Sequence, residues 1–207
     1  MFWSKQRKKT CSVGLAFLAG AFSLLSGTPW SALAALAMAV SAVGDGLLAG
    51  YPACFEKGKH RLIKGGLAFF AAHCLYMLAL ALYSGQHIRA ILSRLPLPAL
   101  GYLFLSCLHG YWFYFRGASS ASLSFFTAAT AYLFTVGAHG ALAVCVSLQI
   151  GGPIWLNAIG AALFYLSDAI LLANKYRPGA GKDRASLVWF TYAPAQLCLI
   201  AGLFLSR

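Results

Sequence analysis

Apolar residues recur along this chain in long, nearly uninterrupted runs rather than in the one-sided stripes of soluble helices. The runs cover roughly residues 11–27, 30–50, 62–83, 97–115, 120–148, 152–174 and 185–206. A helix needs about 20 mostly apolar residues to cross a bilayer. The pattern therefore predicts an all-α polytopic membrane helix bundle of about seven transmembrane helices, within a range of six to eight. The first run is short, and the fifth is long enough to tilt, or to break near Gly137 or Gly140. Gly27-Thr28-Pro29, Pro96-Leu97-Pro98, Gly151-Gly152-Pro153 and Pro178-Gly179 supply turn residues between the runs. No long polar stretch interrupts them, so residues 1–207 read as a single transmembrane domain.

Composition agrees. The chain is 60% hydrophobic and 10% charged, where a soluble domain carries about 25% charged residues. The net charge of +12 does not point to nucleic acid, because the basic residues are spread through short loops between apolar runs. The positive-inside rule explains them. With the N-terminus in the cytoplasm, 13 of the 16 Lys and Arg residues fall on the cytoplasmic side, leaving Arg89, Arg94 and Arg207 outside. The expected placement is an integral protein of the cell membrane (the inner membrane if bacterial), N-terminus in. The basic start, Lys5 to Lys9, followed by an apolar run is superficially signal-like, but the next run begins at once, so the first is read as a retained helix. The six cysteines form no CxxC pair and read as small buried hydrophobes.

Against this background the acidic residues stand out. There are four: Asp45, Glu56, Asp168 and Asp183. Asp45 and Asp168 lie inside apolar runs, where an ionisable group costs a few kcal/mol or more. The second and sixth runs cross in the same direction. Asp45 and Asp168 each fall a few residues before the cytoplasmic end, about 8–9 Å below it at 1.5 Å per residue. The two carboxylates thus share a depth and a leaflet. Gly66, Phe69, His73 and Tyr76 fall on one stripe of the third run, and Trp189, Tyr192 and Gln196 on one face of the seventh. Ser41 is one turn from Asp45, Asn157 lies three turns from Asp168 on the same face, and His109 is near the inner end of the fourth run. Asp45, Asp168, His109, Tyr192 and, slightly deeper, His73 and Gln196 can share a pocket open to the cytoplasmic leaflet.

Plainer roles compete with this. A lone intramembrane Asp can cap a neighbouring helix or pair with a basic residue, Asp45 with Lys64 being the specific case. His139 reads as structural, and Tyr111, Trp112 and Tyr114 as an interfacial belt. His73, His109 and His139 count to different depths, and no HxxxH pair exists, so a metal-dependent lipid hydrolase is disfavoured.

Four motifs taken together match a known pattern. They are Ser41-x-x-Gly44-Asp45, Phe69-x-x-x-His73-x-x-Tyr76, Gly160-Ala-x-Leu-Phe164-x-x-Ser167-Asp168 and Tyr192-x-x-x-Gln196. In order and spacing the set resembles the YhhN-like lysoplasmalogenase family over about residues 12–206. That resemblance implies a multi-helix membrane hydrolase, often with eight spans. A count of seven departs from it, unless a first helix is lacking or residues 86–96 hold a partial one. It also implies cleavage of the vinyl-ether bond of lysoplasmalogens, giving a fatty aldehyde and glycerophosphoethanolamine or glycerophosphocholine, with Asp45 and Asp168 at the paired acidic positions.

Vinyl-ether hydrolysis needs a proton donor to carbon and a nearby base or anion. Two carboxylates in low dielectric suit that task, since one keeps a proton while its neighbour is ionised. The expected catalytic residues are Asp45 and Asp168. Ser41, His73, Tyr76, His109, Ser167, Tyr192 and Gln196 are expected to bind or orient substrate or water, with Lys64 at the rim for the phosphate. No cofactor or metal is expected. The expected partners are a lysophospholipid substrate and membrane lipids, without nucleic acid. The alternative is a proton-coupled transporter of a small molecule or lipid, which would use the same aspartates as a relay; a purely structural scaffold is the third class.

Overall fold

In a computed structural model, residues 5–49, 60–85, 88–116, 123–176 and 185–206 are described. They form eight α-helices: α1 (Lys5–Ser26), α2 (Pro29–Ala49), α3 (His60–Ser84), α4 (Ile88–Arg94), α5 (Pro96–Arg116), α6 (Leu123–Ile150), α7 (Trp155–Tyr176) and α8 (Ala185–Leu205). The described residues include no strand. The seven apolar runs correspond to the seven long helices, and α4 is the partial element in 86–96.

Local chemistry sets several boundaries. Gly27 takes φ 63° and returns its N–H to Ser23 O at 3.0 Å, closing α1 as glycine does after a helix end. Pro29 then opens α2, where a missing N–H costs nothing. Gly151 and Gly152 take φ 74° and 67° and lead through a 3-10 turn, Gly152–Ile154, into α7. Pro96 and Pro98 sit in the first turn of α5 instead of outside it. The Pro178-Gly179 turn lies outside the described residues.

The fifth run does not break. α6 continues through Gly137 and Gly140. These glycines admit a neighbouring side chain: a Cβ on Gly140 would lie 2.5 Å from Tyr102 Cζ, and one on Gly137 would lie 3.2 Å from Tyr102 Cβ. Gly160 plays the same part between α7 and α8, where a Cβ would meet Ala195 O at 2.8 Å. Close helix contact through small residues is the usual solution where lipid offers no hydrophobic drive between helices.

Among the described residues, five helices are long and apolar enough to cross a membrane: α2, α3, α6, α7 and α8. They pack in a closed ring, α2 on α3, α3 on α6, α6 on α7, α7 on α8 and α8 back on α2. The shorter apolar stretches, Ser12–Ser26 of α1 and Pro96–His109 of α5, lie outside it. α1 packs on α2 and α8, α5 chiefly on α6. Leu15 and Ala19 of α1 join Met38, Ile200 and Phe204 in a small core of their own. The main core fills the ring, with Phe69, Tyr76, Phe164, Tyr192 and Leu199 among its buried members. Such long apolar helices, with apolar side chains also on their outer faces, fit an integral membrane protein.

Candidate active site

Every ring helix contributes polar side chains to the interior. Helical spacing explains their convergence: residues three, four or seven apart share a face. His73 and Tyr76 therefore point inward together with Phe69, Tyr132 with His139, and Tyr192 with Gln196. All but Tyr132 are buried, and Tyr132 is partly so.

Asp45, in the last turns of α2, accepts two hydrogen bonds on one oxygen. Ser12 Oγ of α1 donates at 2.6 Å and Tyr192 OH of α8 at 2.7 Å. Gln196 Nε2 donates to Tyr192 OH at 2.8 Å, and Tyr76 OH donates to Gln196 Oε1 at 3.3 Å. Three side chains from two helices are thus aligned in one direction and end on Asp45. Both direct donors are neutral hydroxyls, so the carboxylate's place is not explained by the Asp45–Lys64 pairing.

Asp168, on α7, accepts a short hydrogen bond from Tyr132 OH of α6. Tyr192, which holds Asp45, belongs to an aromatic cluster. The Phe69, Phe164 and Tyr192 rings meet edge to face with centroids 5.4–6.1 Å apart, a favoured geometry.

A cavity of about 290 Å³ opens between α3, α6 and α7 and reaches Asp168. Its walls include Leu67, Phe69, Phe70, Ala131 and Leu171; among the described residues, Asp168 and Tyr132 are the only lining residues with polar side chains. Asp45 is not in that lining.

A second polar chain runs deeper. Asn157 Nδ2 donates to Leu199 O at 3.1 Å, which turns Asn157 Oδ1 toward His139 Nε2 at 3.3 Å. His139 Nδ1 in turn faces His73 Nδ1 at 2.9 Å. This corrects the depth count that separated the histidines. His73 lies 13 residues beyond the start of α3 at His60, and His139 16 beyond the start of α6 at Leu123. The offset of three residues is about 4.5 Å of rise, which two imidazole side chains span. His139 is thus part of the interior network. Among the described residues, no group of three or more His, Cys, Asp or Glu side chains could hold a metal ion.

The remaining expected residues divide. Tyr76, Tyr192, Gln196 and His73 join the interior networks. Ser41 is fully buried one turn before Asp45. Ser167 donates to Val188 O at 3.2 Å and so ties α7 to α8. Lys64 lies half-buried in the first turns of α3. His109 lies on α5, outside the ring, away from the pocket the depth count assigned it. Tyr132, Ser12 and the roles of His139 and Asn157 were not legible. Tyr132 and His139 are seven residues apart on one helix face, which is the signal that links them.

No curated protein and no solved structure matches the chain. The model of the YhhN family matches residues 7–203, nearly the whole sequence, and the chain belongs to that family.

Proposed function

We propose that this protein is a membrane-embedded lysoplasmalogenase: an ether hydrolase that splits the vinyl-ether bond of lysoplasmalogens into a fatty aldehyde and glycerophosphoethanolamine or glycerophosphocholine. The observation that carries this is an interior carboxyl group, Asp168, in the wall of an apolar cavity, with a second interior carboxylate, Asp45, on another helix of the ring. A vinyl ether is inert to bases and reacts by protonation at carbon. A carboxylic acid at the end of an alkyl-shaped groove is the group required.

Asp168 meets the substrate. Two carboxylates in one low-dielectric interior disfavour joint ionisation, so the pair holds one proton between them. Asp168 delivers it to the vinyl carbon distal to oxygen, leaving an oxocarbenium ion that the two carboxylates stabilise. Water adds to the cationic carbon and its proton returns to Asp168. The resulting hemiacetal collapses to aldehyde and alcohol. Asp45, fixed by Ser12 and Tyr192, supplies negative charge without leaving its place. Tyr132 holds the Asp168 carboxyl toward the cavity. The groove also runs along the first turns of α3, past Leu62 and Ile63, beside Arg61 and Lys64, which are placed to receive a phosphate. The distribution of Lys and Arg supports an opening toward the cytoplasmic leaflet.

The test is mass-spectrometric product analysis of purified protein with lyso-plasmenylethanolamine and, in parallel, the ordinary acyl lysophospholipid. Aldehyde from the first and no product from the second is expected. Substrate-dependent flux into liposomes without turnover would replace the hydrolase with a transporter.

A further inference from the structure

Ser41 Oγ and His73 Nε2 are buried with no hydrogen-bond partner among the described residues. Both side chains are fully buried. A buried polar group without a hydrogen-bond partner is destabilising, so two within one small region call for an explanation.

They are at the same level. α2 and α3 are antiparallel, and their register follows from contacts on either side of Ser41. A Cβ on Gly44 would meet Phe69 at 3.1 Å, and one on Gly65 would meet Leu48 at 2.7 Å. Tyr76 OH approaches Met38 Sδ at 3.8 Å. In this register Ser41 stands opposite Ala72 and His73. It is one turn from Asp45, as Phe164 is from Asp168. His73 packs edge-on against Phe164, centroids 4.5 Å apart, and against Tyr132 at 6.3 Å. The level of the two orphaned atoms therefore lies about one helical pitch, roughly 5–6 Å, from that of the carboxylates.

The second polar chain sets the state of His73. With Asn157 Nδ2 committed to Leu199 O, Asn157 Oδ1 accepts from His139 Nε2–H. His139 Nδ1 is then the acceptor and His73 Nδ1–H the donor. His73 Nε2 is left with a lone pair, an acceptor with nothing to accept. Ser41 offers a hydroxyl that can donate.

We propose that Ser41 and His73 form the binding site of the hydrolytic water. Ser41 Oγ–H donates to the water oxygen, and the water donates to His73 Nε2. A buried water needs two to four such partners. As the water oxygen bonds to the oxocarbenium carbon, its proton passes to the Asp168 carboxylate and His73 stays neutral. His73 and Ser41 act by positioning; the proton transfers belong to the aspartates. This role rests on the hydrolase reading, but the existence of the water site does not.

Two measurements separate the two. Radiolytic hydroxyl footprinting of the full chain in nanodiscs labels side chains beside bound water. Met38 and Tyr76 have no solvent exposure, yet wild type is expected to label at one or both, with labelling lost in Ser41→Ala. Absence of labelling in wild type overturns the site, whether or not the protein releases aldehyde. The second measurement is turnover of lyso-plasmenylethanolamine in D2O. Without a placed water, the oxocarbenium ion returns a proton to Asp168 before it is captured. Ser41→Ala, and His73→Phe where it folds, are expected to lower kcat about ten-fold with KM within about two-fold, and to leave deuterium at the vinyl carbon of recovered substrate. His73→Gln keeps an acceptor and is expected to retain most of kcat. Wild-type kcat and no deuterium in recovered substrate with Ser41→Ala overturn the catalytic role. No aldehyde from wild type overturns the hydrolase reading, and the footprint then decides the site alone.

Discussion

Asp45 and Asp168 occupy the same level of the ring but different surroundings. Asp45 is held from two sides by hydroxyls of α1 and α8, with a further amide and phenol lined up behind Tyr192. Asp168 has Tyr132 as its described hydrogen-bond partner and forms part of the wall of an apolar cavity. The difference teaches a division of labour. A carboxylate fixed by several donors is a stationary charge. One carboxyl at the end of a groove is in a position to touch substrate. Similar side chains acquire separate tasks from their environments, as in other two-carboxylate sites.

The largest expected effect tests that division directly. Asp168→Asn is expected to lower aldehyde release about 10³-fold, within the usual span for a lost general acid. Asp45→Asn keeps the shape and most hydrogen-bonding capacity while removing the fixed charge, and a loss of about 10²-fold is expected. Activity is compared at equal amounts of folded protein, judged by melting temperature. A greater loss in Asp45→Asn would reverse the assignment, and near-wild-type turnover in either variant would end the two-carboxylate mechanism. Next in size is the contrast between supporting phenols. Tyr132→Phe removes the donor that aims Asp168, and about a ten-fold fall in kcat is expected. Tyr192→Phe leaves Ser12 on Asp45, and about a three-fold fall is expected. Equal effects would mean that the two aspartates are interchangeable.

Much of this asymmetry could not be read in the chain. The apolar runs gave the long helices because a bilayer-length run has few alternative structures. The shared level of Asp45 and Asp168 followed from counting residues, since rise per residue is fixed. Tyr76, Tyr192 and Gln196 were found because each lies on a stripe with another polar residue. Ser12 was hidden, because it follows a basic segment and its role depends on α1 packing from outside the ring against α2 and α8. Tyr132 was hidden because its partner on the same face of a 28-residue apolar helix, His139, was itself read as structural. His109 was misplaced for a related reason: depth along a helix says nothing about whether that helix belongs to the ring. The His73–His139 pair failed on rounding, since three residues of offset seem large in sequence and are small in space.

The cavity side can be tested without touching a polar atom. Gly66 lines the groove, and a Cβ there would meet nothing within 4 Å. Gly66→Leu therefore fills cavity volume without straining the fold. KM for a long-chain lysoplasmalogen is expected to rise about five-fold, consistent with loss of a few apolar contacts, while kcat and the turnover of a short-chain vinyl ether stay near wild type. Loss of kcat for both substrates would place the reacting carbon somewhere other than the end of this groove.

The smallest expected effect lies on the Asp45 side. Ser12→Ala deletes one of two donors to the same carboxylate oxygen. α1 stays docked, because Leu15 and Ala19 anchor it to Met38, Ile200 and Phe204 and neither anchor involves the serine hydroxyl. Tyr192 still holds the carboxylate from inside the ring. A hydrogen bond of this kind contributes about 1 kcal/mol net, and the second donor shares the load, so kcat is expected to fall about two-fold with KM and melting temperature unchanged. If Ser12→Ala instead matched Asp45→Asn, Asp45 would be controlled from outside the ring by α1. The contrast between a fixed charge and a reacting acid would then have to be redrawn around a helix that the five-membered ring does not contain.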